Sequence, residues 1–481
     1  MKSYTDYLAH AEERINELRH LMQEGLICDD GEFVPSVHYP PITQYAGATA
    51  DHVLDTYTQP PDGKLDIYVH FPFCIQACTF CHYPGLVGKQ AAEKEKYIKA
   101  LKREIELYME RFALKQISPR SVLVGGGTPT YLEPAQLADF LAFFRDKTDL
   151  SGCKQFNYDV DPDSLVGAEG KQRLAIMREY GVTRLTIGVQ SLDGHVLAVM
   201  NRAHDPQTAI EAINNSKEYG FDVNIEFIYG HPGETLEKWA ETIQEAVTLG
   251  TDEIQLYRLK VLAYGDKQGH IINRREEAPD FFQTMRMKQV AIDILGENGF
   301  HENMRRVYTK DKKNISHYAY NQCCNLYDQV GFGLTGFSSY RDRFMINTQH
   351  FDAYYKAIAN NRLPVSRGLV RSPEQQLRWS IILPLKNMHV RKPLFEKINN
   401  RKLDQVFREK MKNLKAYGLI EEDGKIMKLT ALGAFVADEV VEQFNSDEYI
   451  PFARERYAEG KLNPYLHNTP ADAFGERRII Q

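Results

Sequence analysis

Asp66-Ile67-Tyr68-Val69-His70-Phe71-Pro72-Phe73-Cys74-Ile75-Gln76-Ala77-Cys78-Thr79-Phe80-Cys81-His82-Tyr83-Pro84-Gly85 runs a short apolar, β-prone segment straight into three closely spaced cysteines. Pro72 has no N–H to give to a β-ladder, so the strand is expected to stop there. Cys74, Cys78 and Cys81 then sit in a loop at its carboxyl end. Thiolates are the ligands of iron–sulfur clusters, and a cubane of four irons normally takes four of them. Three leave one iron open to bind a small molecule directly. Two plainer readings compete. Spacings of four and three also align the cysteines on one helix face as small buried apolar groups, and three thiolates with His70 or His82 make a zinc set.

The surrounding composition narrows the setting. A chain of 481 residues is long enough for a large catalytic domain plus one or two smaller ones. A net charge of -6 implies no overall attraction to nucleic acid or anionic membrane. The other cysteines are Cys28, Cys153 and the pair Cys323-Cys324, an odd total that does not suit a secreted disulfide framework. Glu12, Glu13 and Arg14 stand where a signal peptide needs an apolar core, and no stretch approaches the roughly 20 apolar residues of a membrane span. The chain therefore reads as cytoplasmic, with no membrane partner.

Outward from the cysteine loop, the pattern is an alternation of strands and helices. Before it, Tyr7, Leu8, Ala11, Ile15, Leu18, Leu21 and Met22 recur at helical spacing, and Asp29 to Gly63 is rich in Pro, Gly, Tyr and Thr, as in an extended arm. After it, Ser121–Val124, Gln155–Val160, Arg184–Val189, Val223–Tyr229 and Glu253–Leu259 are strand-like, separated by helical patterns. Six strands with crossover helices make a parallel βαβ series. The expected class is α/β: a partial (β/α)6 TIM-like barrel with an N-terminal arm and a C-terminal winged-helix-like domain. Its divisions are a helix and arm over 1–63, the core over 64–299, a barrel-closing region over 300–371, the small domain over 372–445 and a tail over 446–481. In the small domain Leu403 to Tyr417 carries a helical stripe, and Asp423-Gly424 marks a hairpin turn. Nine Lys or Arg face three acidic residues between Arg391 and Lys415, which raises nucleic acid as a partner. A solvated helix face is the commoner explanation of such a run, and nucleic acid is not the expected partner.

The Cys-x3-Cys-x2-Cys loop, with Tyr68, His70 and Pro72 ahead of it, resembles the radical S-adenosylmethionine (SAM) enzymes, and most of all the branch typified by oxygen-independent coproporphyrinogen III oxidase. The resemblance implies a 4Fe-4S cluster on Cys74, Cys78 and Cys81, whose open iron chelates SAM and whose electron cleaves it to methionine and a 5'-deoxyadenosyl radical. It also implies further cofactor contacts at successive strand ends: Tyr68 and Phe80 around the cysteine loop, Gly126, Gly127 and Thr128 for the methionyl amino group, and Gln190. Arg202 falls where an arginine meets the methionyl carboxylate. Asp159 stands where the family usually has a glutamate, one methylene longer, and Glu226 replaces another acidic residue before Phe-Ile-Tyr-Gly. No catalytic residue is assignable from the sequence. A triple glycine alone is more often a tight structural turn, and it is the order of these motifs that carries the likeness.

The resemblance spans roughly Tyr39 to Phe444, and it departs from two known activities. The decarboxylating oxidases have a fourth cysteine where this chain has Tyr83. The heme chaperones carry a His-Asn-x-x-Tyr-Trp signature where this chain reads Ala319-Tyr320-Asn321-Gln322-Cys323-Cys324. What the resemblance then implies is a radical enzyme acting on a tetrapyrrole, most of all heme, by methyl transfer or ring opening, with two SAM molecules and a flavodoxin or ferredoxin as electron donor. The alternatives are a methylase or cyclopropanase of a small natural product, a coproporphyrinogen III dehydrogenase, and a heme chaperone without turnover.

Overall fold

The computed structural model describes residues 3–29, 31, 38–60, 62–81, 83–259 and 277–468. Its centre is six parallel strands in sequential order: β1 (Lys64–Phe71), β2 (Ser118–Gly126), β3 (Gln155–Val160), β4 (Arg184–Gln190), β5 (Asp222–Tyr229) and β6 (Glu253–Arg258). Helices α1 (Ala91–Arg111), α2 (Pro134–Lys147), α3 (Gly167–Glu179), α4 (Pro206–Glu218), α5 (Leu236–Ala246) and α6 (Phe281–Glu297) follow the strands in turn. The expected α/β core is what forms.

In β1 the helix-facing residues Leu65, Ile67, Val69 and Phe71 are wholly buried, while Asp66, Tyr68 and His70 point to the other face and are buried too. Burial on both faces is the habit of parallel strands covered by crossover helices. The inner face, however, is polar. Near the amino ends of the strands, Arg184 donates to Asn157 at 2.5 Å and to Glu253 at 2.7 Å, and Ser121 and Asn321 donate to Asp66 at 2.5 and 2.9 Å. A buried ion pair of this kind is sustained by its additional hydrogen bonds. It makes a rigid floor beneath the carboxyl ends, where the site lies.

Residues 300–371 add strands at both edges of this core. His301–Met304 and Val307–Thr309 form an antiparallel hairpin on β6, and Gln329–Phe332 runs parallel to β1, continued by Phe337–Ser339, Arg343–Asn347 and Val365–Val370. Among the described residues no hydrogen-bonded strand pair joins the two edges, so the sheet is an open partial barrel.

The N-terminal helix Tyr4–Gln23 joins two cores. Tyr7 and Ala11 pack with the barrel, whereas Ile15, Leu18 and Leu21 pack with Leu377, Ile381, Phe395 and Leu414 of the C-terminal region. There helix Pro373–Lys386 is followed by Lys392–Asn399 and Arg408–Ala416, and by a three-stranded sheet in the order His389–Arg391, Ile426–Leu429, Ile420–Glu422. Helices closed by such a small sheet are the arrangement of a winged helix. The basic run within it is partly neutralised, because Lys392 pairs with Asp404 and Glu422, Lys415 with Glu422, and Lys410 is buried against the Pro464 carbonyl. The tail is packed over its described part: Leu462 N donates to Glu24 O and Tyr457 donates to Glu442. Residues 469–481 of that tail lie outside the described residues, as do 32–37 of the arm. Among the described residues no helix is long and apolar enough to cross a membrane.

Candidate active site

Pro72 ends β1 as its chemistry demands, and the chain turns into a loop that carries the three cysteines. Residues 75–81 form bends and a turn closed by Cys81 N donating to Cys78 O at 3.2 Å, so the cysteines are not aligned on a helix. Their sulfurs do not all lie within 4.8 Å of one another, wider than the roughly 3.8 Å separation that one zinc ion with 2.3 Å bonds imposes. His70, the other zinc candidate, is engaged: Tyr68 Oη lies 2.8 Å from its Nδ1, and burial pushes its imidazole down to about 4. His82 lies outside the described residues.

The glycine loop at the end of β2 is pressed onto this cysteine loop. Gly127 N donates to Phe71 O at 2.7 Å and Thr128 N to Phe73 O at 2.6 Å. A Cβ on Gly127 would stand 2.5 Å from Phe73 O and 2.8 Å from Cys74 Sγ, and one on Gly126, whose φ is +118°, would meet His70 at 2.8 Å. Only glycine lets the two strand ends approach this closely. The expected amino-group contacts Gly126, Gly127 and Thr128 thus stand directly beside the first cysteine.

The remaining strand ends bring the other residues together. Asp159 on β3 and Glu226 on β5 face the same interior, where burial pushes the carboxyl of Asp159 up to about 6 and burial together with Asp159 pushes Glu226 up to about 8. Asn157 donates to Asp159 at 3.0 Å, and Tyr257 Oη stands 3.4 Å from Glu226. Gln190 closes β4 in a left-handed conformation, φ +68°, with its Oε1 buried.

Arg202 is pinned between the cysteine loop and β3. It donates to Cys78 Sγ at 3.3 Å, to Asp161 at 2.5 Å and to Gly188 O at 2.9 Å. The carboxylate it meets here is the chain's own Asp161, because both side chains are 8% exposed and neither is stable buried alone. Asp161, Asp163 and His204 bring ligand atoms within 4.8 Å, but the Arg202 guanidinium already supplies the cation of that cluster.

Several buried polar atoms here have no partner among the described residues: Gln190 Oε1, Arg202 Nε and both ring nitrogens of His231. Buried polar groups are nearly always satisfied, so such atoms at one mouth mark room for a polar ligand. Three thiols, a glycine cradle and these unsatisfied groups suit a cluster bearing a chelated amino acid. His231 escapes motif reading; its one sequence signal is a polar residue inside the turn Gly230-His231-Pro232-Gly233. Its ring lies edge-on to Phe80, 6.4 Å between centroids, and burial pushes it down to about 3, so it is neutral, offering one donor and one acceptor. Tyr83 is 60% exposed at the same mouth, its ring 6.4 Å from that of His70.

Residues 68–246 match the family model of the radical SAM superfamily. The oxygen-independent coproporphyrinogen III oxidase of Pseudomonas aeruginosa is 25% identical over 415 residues, covering 82% of this chain and 88% of that protein. The heme chaperone HemW of Bacillus subtilis is 25% identical over 391 residues, covering 78% of this chain and 98% of that one. The solved coproporphyrinogen III oxidase (HemN) from Escherichia coli superposes with a TM-score of 0.73 at 23% identity, over 85% of this chain and 96% of that one, which establishes the shared fold.

Proposed function

Because the chain belongs to the radical SAM superfamily, in its oxygen-independent coproporphyrinogen III oxidase-like branch, we propose that it modifies a tetrapyrrole, most of all heme, by radical methyl transfer or ring opening. The observation that carries the substrate class is the likeness over about four-fifths of the chain to relatives that are named for coproporphyrinogen or heme. Tyr83, in place of a fourth cysteine, favours a reaction other than the oxidase's own.

In this reading Cys74, Cys78 and Cys81 hold a 4Fe-4S cluster, with Tyr68, Phe80, Gly126, Gly127, Thr128, Asp159, Gln190, Arg202 and Glu226 around one SAM molecule and a second SAM as carbon donor. When bound, the reduced cluster and SAM together supply a carbon radical able to abstract hydrogen. The chain's own residues do the rest. Arg202 offsets the negative charge gathered at the Cys78 sulfur and Asp161. Glu226 keeps its proton at neutral pH, because burial and the charge of Asp159 disfavour a second carboxylate there, and its oxygen accepts from Tyr257 Oη. The arm over 1–63 and the winged-helix-like domain over 372–445 bury a large apolar macrocycle, since ligand sites cover most of their ligand. A small flavodoxin or ferredoxin delivers the electron.

The test is an anaerobic incubation with reductant, heme and methyl-labelled SAM. The Soret band is lost and label enters the product with wild-type protein, and neither happens with Cys78→Ala. An intact Soret band while 5'-deoxyadenosine still forms removes heme and turns the reading to a methylase of a small natural product. A second reading, a heme carrier, is favoured by the match to HemW over nearly that protein's full length. It requires heme to bind tightly and return unchanged.

A further inference from the structure

A second polar cavity lies at the carboxyl ends of β5 and β6, between helix α6, the turn of the edge hairpin and the C-terminal region. It has a volume of about 40 Å³, and Arg258, Lys288, Arg305, Arg306, Asp438 and Glu439 supply its charged lining. None of these residues belongs to the motifs above.

Its charges are unbalanced. Arg305, Arg306 and Lys386 all converge on the one carboxylate of Asp438, the last two at 3.4 and 3.2 Å. Lys288 donates to the Phe435 carbonyl at 2.7 Å and lies over the Phe435 ring, and Arg258 lies over the Phe281 ring. Neither has a salt bridge among the described residues. Glu302 and Glu439 are the other carboxyls present, and burial pushes both up, toward the neutral form. Burial and the neighbouring arginines push Lys288 and Lys386 down to about 8. Among the described residues, five cations thus face three carboxyls in a buried space. An uncompensated buried charge is costly, and a bound anion removes that cost.

From this geometry we infer that the cavity is an oxyanion pocket which takes the carboxylate of a substrate side chain. A water needs about 10–15 Å³ of such volume, so the space admits a carboxylate or a few waters and no ring. The macrocycle itself must lie outside, and the site above is close by: the Arg306 guanidinium lies 5.7 Å from the centre of the Tyr257 ring, and Tyr257 in turn reaches Glu226, so the Tyr257 side chain stands between cavity and site. Arginine beside lysine suits a carboxylate, the arginine by its planar fork and the lysine by its charge. The inference rests on the tetrapyrrole reading for the source of the carboxylate, and on the cavity alone for the anion.

Two probes separate those dependencies in cluster-loaded, full-length protein. The first is mesoporphyrin IX against its dimethyl ester, followed by fluorescence. The second is sodium propionate against chloride at equal ionic strength, followed by thermal melting. One charge-assisted contact contributes about 1.5–3 kcal/mol, so the diacid is expected to bind at least about tenfold tighter than the diester. That preference should collapse in Lys288→Met and in Arg258→Gln while diester binding is kept, and propionate should raise the melting temperature of wild type alone. Arg258→Gln leaves the Asp438 ion pairs intact, so it reports even if Lys288→Met fails to fold. If propionate stabilises only wild type but neither porphyrin binds, the pocket stands and the tetrapyrrole reading falls. If the porphyrins bind alike and propionate still acts, the pocket serves a free anion. Equal porphyrin binding with no propionate effect overturns the inference.

Discussion

Replacing Gly127 by alanine tests whether the cysteine loop is held by the glycine loop beneath it. The new Cβ would lie 2.5 Å from Phe73 O and 2.8 Å from Cys74 Sγ, where ordinary contact begins at 3.4 Å. Both neighbours belong to the cysteine loop, so that loop must retreat by roughly 1 Å, and close-packed interiors do not absorb such a shift without loss. The retreat also stretches the 2.6 Å bond from Thr128 N to Phe73 O. Overpacking costs about 1–3 kcal/mol and the hydrogen bond about 1 kcal/mol, so roughly 2–4 kcal/mol falls on the residues flanking Cys74. Gly418→Ala in the C-terminal region is the control. Its φ is +66°, and a Cβ there meets nothing within 4 Å, so the cost is backbone strain of about 1–2 kcal/mol away from the thiols. After anaerobic reconstitution, iron and sulfide content and visible absorbance should fall sharply in Gly127→Ala and stay near wild type in Gly418→Ala. Wild-type iron content in Gly127→Ala would refute the reasoning.

Two further outcomes follow from the charged groups of the site. Burial raises the Glu226 carboxyl to about 8, above its unfolded value of about 4.3, so its stabilising contribution is complete below about pH 4 and is lost as pH rises through 8. Wild-type stability should therefore decline between about pH 4.5 and about pH 8 more steeply than that of Glu226→Gln, and parallel thermal-melting curves would contradict the assignment. Arg202→Met leaves Asp161 buried without its partner, a loss of about 3–5 kcal/mol; adding Asp161→Asn should recover most of the stability but not SAM binding by equilibrium dialysis. Restored binding in the double variant would show that Arg202 serves the fold alone.

The parts of this molecule that announce themselves in the sequence are those set by local rules. Pro72 ends β1, Asp205 and Pro206 open α4, and alternating apolar runs space the six strands, all by short-range chemistry. The cysteine and glycine loops are legible for the same reason. What sequence reading passes over depends on distance in the chain. Asp161 is the partner of Arg202 across 41 positions, and Tyr257 meets Glu226 across 31. The N-terminal helix has an ordinary amphipathic stripe, yet its two halves serve different cores, which no periodicity encodes. The polar inner face of the sheet is likewise hidden, since Asn157, Arg184 and Glu253 look like solvent-facing residues until the strands curve them together. The cavity lined by Arg258, Lys288 and Arg305 gathers residues from five separate segments, beyond the reach of any motif.

The central claim is that the three thiols near Gly127 serve a reducible cluster that cleaves SAM. The direct measurement is product analysis of anaerobically reconstituted protein given SAM and dithionite. The account predicts 5'-deoxyadenosine and methionine in equal amounts, dependent on the reductant and absent in Cys78→Ala. Stoichiometric zinc in place of iron, or reduced cluster with SAM left intact, would contradict it.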